Sequence, residues 1–241
     1  MAVTVAAPVP IARPRRVVYI AVSILMTAIA VVGFWPRYFG PLLFGTLVQP
    51  LLIHVHATVF TGWLVLFLFQ AYFAATKRIQ LHLAVGKAGI WYGVLLVIVG
   101  LTTGVIRAAA SPPGRAEQLL LAITQDMLMF AGFFGAAIWY RKKPRLHRPL
   151  MVVAASSLLV AAVARMSPFL PEDPYRAPVQ LLIWSLPILV AMVYEFRTTR
   201  RIHPIYWLGI AVFIVRRYNT GPLAETDGWR DFAHAVFALM S

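Results

Sequence analysis

PLLIHVHATVFTGWLVLFLFQAYFAATKRIQLHLAVGKAGIWYGVLLVIVGLTTGVIR, residues Pro50 to Arg107, is the stretch on which the fold turns. Leu51 to Tyr72 is apolar except for His54, His56, Thr58, Thr61 and Gln70. At about 1.5 Å per residue, a helix of that length crosses a hydrocarbon core of about 30 Å. Lys77-Arg78-Ile79-Gln80 makes a short basic turn. Leu81 to Ile106 then crosses back, with His82 at one end, Arg107 at the other, and Gly86, Gly89, Gly93, Gly100 and Gly104 between them. Two spanning helices joined by a basic turn place the chain in the class of integral membrane helical bundles.

Composition agrees. The 241 residues are 61% hydrophobic and 12% charged, against about a quarter charged in ordinary globular domains. The net charge of +14 does not point to nucleic acid, because the Lys and Arg sit mostly in short turns between apolar runs, where they set orientation. With no cysteine, thiolate metal sites, iron–sulfur clusters and catalytic thiols are excluded, so any cofactor must be held by His, Met, Tyr or carboxylate. Gly-rich phosphate loops, G-x-S-x-G elbows and H-E-x-x-H helices are absent from the sequence, which sets soluble hydrolase and kinase chemistry aside.

Working outward, seven apolar segments follow one another at about 17–35, 50–75, 82–106, 118–140, 148–166, 179–196 and 204–218. The expectation is an all-α bundle of about seven spans in one membrane domain. A first span (17–35) precedes three helical hairpins (50–107, 118–166, 179–218), and an amphipathic helix follows at 227–240. Arg13, Arg15 and Arg16 ahead of Val17 to Phe34 resemble a secretory signal, but the apolar run is too long for one, so it reads as an uncleaved span. The seventh segment is the shortest: Ile205 to Val215 must borrow His203, Pro204, Arg216 and Arg217 as flanks. In the final helix Trp229, Phe232, Ala233, Val236, Phe237 and Met240 share one face, which suits a helix lying on the membrane surface.

One set of turns carries thirteen bases (Arg13, Arg15, Arg16, Lys77, Arg78, Arg141, Lys142, Lys143, Arg145, Arg148, Arg197, Arg200, Arg201), the other set eight (Arg37, Arg107, Arg115, Arg165, Arg176, Arg216, Arg217, Arg230). The positive-inside rule then predicts a cytoplasmic N-terminus and an external C-terminus. The strings Lys77-Arg78-Ile79-Gln80-Leu81-His82, Lys142-Lys143-Pro144-Arg145-Leu146-His147 and Arg200-Arg201-Ile202-His203-Pro204 form a weak repeat, each opening a helix on the basic side.

Two constellations carry chemistry. On the basic side His82 and His147 head stripes of small residues, an arrangement that fits either axial ligation of a b-type haem or ordinary close packing through Gly89-x3-Gly93 and Gly100-x3-Gly104. On the other side His54, His56, Gln125, Asp126 and Arg165 form a polar cluster. His56 lies about 9 Å below Pro50 and Asp126 about 12 Å below Gln118, so their depths match. Buried in a bundle, Asp126 needs a partner, and His56 and Arg165 are the expected ones. The cluster fits a proton carrier, a metal or quinone contact, or a lock between helices. His54-x-His56 is a poor metal motif on a helix, where ligands need i, i+3 or i+4 spacing, and no metal site is expected.

The string His54-x-His56-Ala57-x-x-Phe60-x-x-Trp63, Gln70, Leu81-His82-x-x-x-Gly86-x-x-Gly89, Asp126-Met127-Leu128, His147-Arg148-x-Leu150-Met151 and Arg165 resembles a widespread family of uncharacterised bacterial multi-pass membrane proteins. The resemblance implies a bacterial plasma (inner) membrane and a polytopic topology, and no reaction. A fainter similarity is to the ascorbate-dependent transmembrane cytochromes b, whose four-helix core holds two haems with one histidine from each helix. It implies that His82 and His147 match the pair on the third and fifth helices and His56 the second. The fourth helix departs from that pattern, offering Gln125 and Asp126 with no histidine. The implied activity is haem- or quinone-linked electron transfer. A proton- or cation-linked transporter using Asp126, and a non-catalytic subunit of a membrane complex, are the alternatives, and the lipid bilayer is the one partner implied.

Overall fold

The computed structural model describes residues 17–239. Arg13, Arg15, Arg16 and Met240, invoked above, lie outside that range. Helix α1 (Val17–Phe34) runs through a π-helical turn (Trp35–Phe39) into α2 (Gly40–Leu43). Then come α3 (Leu51–Ala75), α4 (Ile79–Ala109), α5 (Arg115–Trp139), α6 (Pro144–Ser157), α7 (Val160–Arg165), α8 (Arg176–Thr199), α9 (Pro204–Ala224) and α10 (Asp227–Ala238), with no strand among the described residues. The chain is an integral membrane bundle of helices.

Six segments are long and apolar enough to cross a bilayer: Val17–Leu43, Leu51–Ala75, Ile79–Ala109, Arg115–Trp139, Pro144–Arg165 and Arg176–Thr199. The expected seventh is α9, which is six residues longer than its apolar segment suggested but too polar in its last turns to join them. The physical reason is visible in its packing. Arg216 and Thr220 turn inward onto α5 and are satisfied there by Asp126 and Gln125. A helix that carries its own polar partners inside a bundle need not be apolar throughout.

Helix ends follow local chemistry. The α3–α4 turn closes with Lys77 in the left-handed region (φ 62) and Arg78 N donating to Phe73 O at 2.9 Å, a Schellman-type stop that puts the basic pair outside both helices. Arg200 (φ 58) ends α8 with a single bond, its N donating to Phe196 O at 2.8 Å, while Arg201 N turns to Thr199 Oγ1 at 3.2 Å. The fifth apolar segment, read as one span, is broken between α6 and α7. There Trp184 Nε1 donates to Ser156 O at 2.9 Å and Leu159 N reaches the same carbonyl at 3.0 Å, so the regular ladder is interrupted by a side-chain donor.

The hairpin that decides the class does not sit at the centre. That place belongs to the α6–α7 segment, whose apolar window is 61% buried against 17–33% for the other spans. Its Val152, Val153 and Ala155 pack with Val22 and Met26 of α1, Trp184 and Ile188 of α8, and Tyr206 and Phe213 of α9. Ala154 faces a second core made by Val59, Trp63, Leu96, Met127, Phe130 and Phe134 of α3, α4 and α5. Trp63 meets Phe130 edge-on at 5.1 Å, and Trp184 stacks on Phe213 at 4.0 Å. The α4 glycine stripe is a packing surface: Phe134 covers Gly93, Met127 and Phe60 cover Gly100, and Ile123 covers Gly104. Among these glycines, only Gly86 and Gly89 keep ordinary clearance from their neighbours.

Candidate functional site

The bundle has two ends. One is the basic end, with Lys77, Arg78, Arg141 to Arg148 and Arg197 to Arg201. The other is rich in proline, with Pro36, Pro41, Pro50, Pro112, Pro113 and Pro168 among its turns. The two sets of polar residues picked out from the sequence lie towards opposite ends.

Near the proline-rich end, Asp126 is paired with Arg216 of α9. Arg216 Nε donates to Oδ1 at 2.7 Å and Nη2 to Oδ2 at 3.0 Å, a two-point fork between side chains only 14% and 12% exposed. The expected partners, His56 and Arg165, do not bond it. Arg165 Nη1 donates to Ala161 O at 2.7 Å, and its guanidinium stands 4.5 Å from the centroid of the Phe34 ring. His56 stacks on Phe60 at 4.1 Å, leaving Nδ1 buried without a partner, with Arg165 in electrostatic reach. Gln125 Oε1 accepts from Thr220 Oγ1 at 2.7 Å. His54 points away from His56, as the helical spacing required, and its Nδ1 lies 3.1 Å from the Tyr38 hydroxyl. The cluster is therefore divided: Gln125 and Asp126 are locked to α9, His56 lies within reach of Arg165, and His54 turns away to Tyr38.

Arg216 is the residue the sequence reading missed, being counted there as a snorkelling flank. The apolar segment read as ending at 218 put Arg216 two residues from its edge, whereas α9 runs on to Ala224 and sets Arg216 eight residues inside the helix. With both carboxylate oxygens engaged, Asp126 has the geometry of a lock between helices. A second clasp lies further out, where Trp229 Nε1 donates to Glu117 O at 2.9 Å and His234 Nε2 lies 3.1 Å from Glu117 Oε1, docking α10 on the start of α5.

At the basic end His82 and His147 occupy matching places, each leaning against the last turns of the helix before it. His147 Nδ1 donates to Ala137 O at 2.8 Å, which leaves Nε2 with its lone pair free. His82 Nδ1 lies 3.2 Å from Gln70 O. The Gln70 side-chain amide is best satisfied with its nitrogen 3.1 Å from His82 O and 2.7 Å from His82 Nδ1, and its oxygen accepting from Gly86 N at 3.3 Å. In that arrangement the His82 proton is on Nε2. Turning the amide over places its oxygen against Nδ1, which can then donate to it and to the Gln70 carbonyl, freeing Nε2. His203, the third member of the repeat, departs from the pattern. Its Nδ1 accepts from Ile205 N at 3.3 Å, capping its own helix, while its main-chain N donates to Glu195 Oε2 at 2.9 Å.

His147 thus offers the Nε2 lone pair that axial ligation needs, and His82 offers it only with the Gln70 amide turned over. The glycine stripe contributes no cradle beyond Gly86 and Gly89. Comparison of the chain with family models, with curated proteins and with solved structures found no match.

Proposed function

We propose that the chain is an electron carrier of a bacterial plasma membrane, with its N-terminus cytoplasmic, in which His82 and His147 hold a b-type haem near the basic, cytoplasmic face. The observation that carries this reading is the matched pose of the two rings, each held through Nδ1 by the preceding helix of its own hairpin. Metal-ligating histidines are oriented in this way, the second nitrogen anchored so that Nε2 is presented in a fixed direction. The resemblance of the histidine pattern to transmembrane cytochromes b supports the same pair. Bound there, the haem would supply one-electron chemistry. The chain's own part is to orient the two imidazoles, to hold the His147 Nδ1 proton on Ala137 O and, with the Gln70 amide turned over, the His82 Nδ1 proton on the Gln70 carbonyl, and to keep the rings half-buried at a helix end.

The absorption spectrum of protein purified after haem-replete expression tests this. A reducible six-coordinate b-type spectrum is expected, lost in His147→Ala and in His82→Ala and kept in His203→Ala. A colourless wild-type preparation overturns the reading.

A further inference from the structure

At the proline-rich end three guanidinium groups and an imidazole gather with no carboxylate among them. Arg165 closes α7 and lies over Phe34, the last residue of α1, so Arg37 on the following π-helical turn stands one turn further out. The Tyr38–His54 contact at 3.1 Å draws that turn against the start of α3, two residues before His56. On the other flank of α3, Phe60 packs at Gly100, and the antiparallel register then places His56 level with Thr103 and Gly104, one turn below Arg107. Arg165 accordingly feels Arg37 and Arg107 as its neighbouring charges.

All eight Asp and Glu fall within the described residues, and none pairs with these three arginines. The nearest acids along α5, Asp126 and Glu117, are taken by Arg216 and His234. Arg165 gives one hydrogen bond, to a main-chain carbonyl, while Arg37 and Arg107 are exposed. Two polar atoms at this level, His56 Nδ1 and Thr103 Oγ1, are buried without a partner, and Thr103 is only 5% exposed. Clustered guanidinium groups repel one another, and a half-buried one left without an anion is costly. Planar N–H forks carried at neighbouring positions on three elements suit an oxyanion with several charged oxygens.

We propose that Arg37, Arg107, Arg165 and His56 form a site for a phosphate group, entered from the headgroup level at the proline-rich end. All three arginines stand at helix ends, the depth at which a phospholipid phosphate lies, and a free phosphate offers the same chemistry. The site is independent of the haem reading, which concerns the opposite end.

Thermal unfolding of the full chain, delipidated in neutral detergent, tests it with two probes, phosphatidylglycerol in mixed micelles and inorganic phosphate. At ten times the dissociation constant the effective probe should raise Tm by about 4 °C. Because Arg165 also packs on Phe34, the variant of choice is Arg37→Gln/Arg107→Gln, which touches exposed residues only. It should need about a hundredfold more probe for the same shift, about tenfold for each arginine removed. A response to phosphatidylglycerol alone identifies a lipid headgroup, and an equal response to inorganic phosphate identifies a soluble anion. An unresponsive wild type, or a double variant that responds as the wild type does, overturns the site and leaves arginines that merely reach for the membrane surface.

Discussion

Asp126 and Arg216 show what a single buried charge demands. A carboxylate inside a bundle has to find a partner, and its need for one is legible from its place in the apolar run 118–140. Which partner it finds is not, since the bond joins residues 90 apart in the chain. Removing one member of such a pair strands the other, so Asp126→Asn should lower unfolding stability by about 3 kcal/mol. Arg216→Gln should cost a similar amount, and the double variant clearly less than the sum, because no charge is then left alone. Reversible unfolding in mixed micelles of the four proteins measures the coupling; strict additivity would mean the fork contributes nothing. Thr220→Val should cost about 1 kcal/mol in the same assay, since it leaves Gln125 Oε1 without its donor.

At the scale of elements the glycines separate two roles that look alike in sequence. Gly33 lies against the main chain of Ala162, where α1 crosses α7, and a methyl group there has no flexible neighbour to displace. Gly33→Ala should therefore cost about 2 kcal/mol by forcing the helices apart. Gly132 on α5 faces open space, and Gly132→Ala should be neutral or stabilise by up to about 1 kcal/mol through helix propensity. Thermal unfolding of the two variants side by side checks this, and equal effects would remove the distinction. The break between α6 and α7 is likewise a matter of contact. Trp184→Phe keeps the ring on Phe213 but loses the donor to Ser156 O, and about 1 kcal/mol of stability should go with it.

For the whole molecule, reporter fusions at Lys143 and Pro112 should give cytoplasmic and external signals respectively if the basic end faces the cytoplasm, and the reverse pattern would invert the proposed orientation. The class, the places of the helices and the two polar levels were legible from the chain alone. A bilayer obliges every spanning backbone to satisfy its hydrogen bonds within its own helix, so length and apolarity are local properties that a sequence displays directly. The same logic set His54 and His56 on different faces of one helix and placed His82 and His147 at corresponding helix starts. The tertiary structure alone decided that the α6–α7 segment, not the opening hairpin, is the centre, that α9 joins the bundle through Arg216 and Thr220 despite its polarity, that the α4 glycines are filled by Phe134, Met127 and Ile123, and that Asp126 belongs to α9 while His56 lies within reach of Arg165. Each of these depends on which helix faces meet, and that is settled by side-chain shape and charge pairing between distant residues, for which no single stretch of sequence carries a signal.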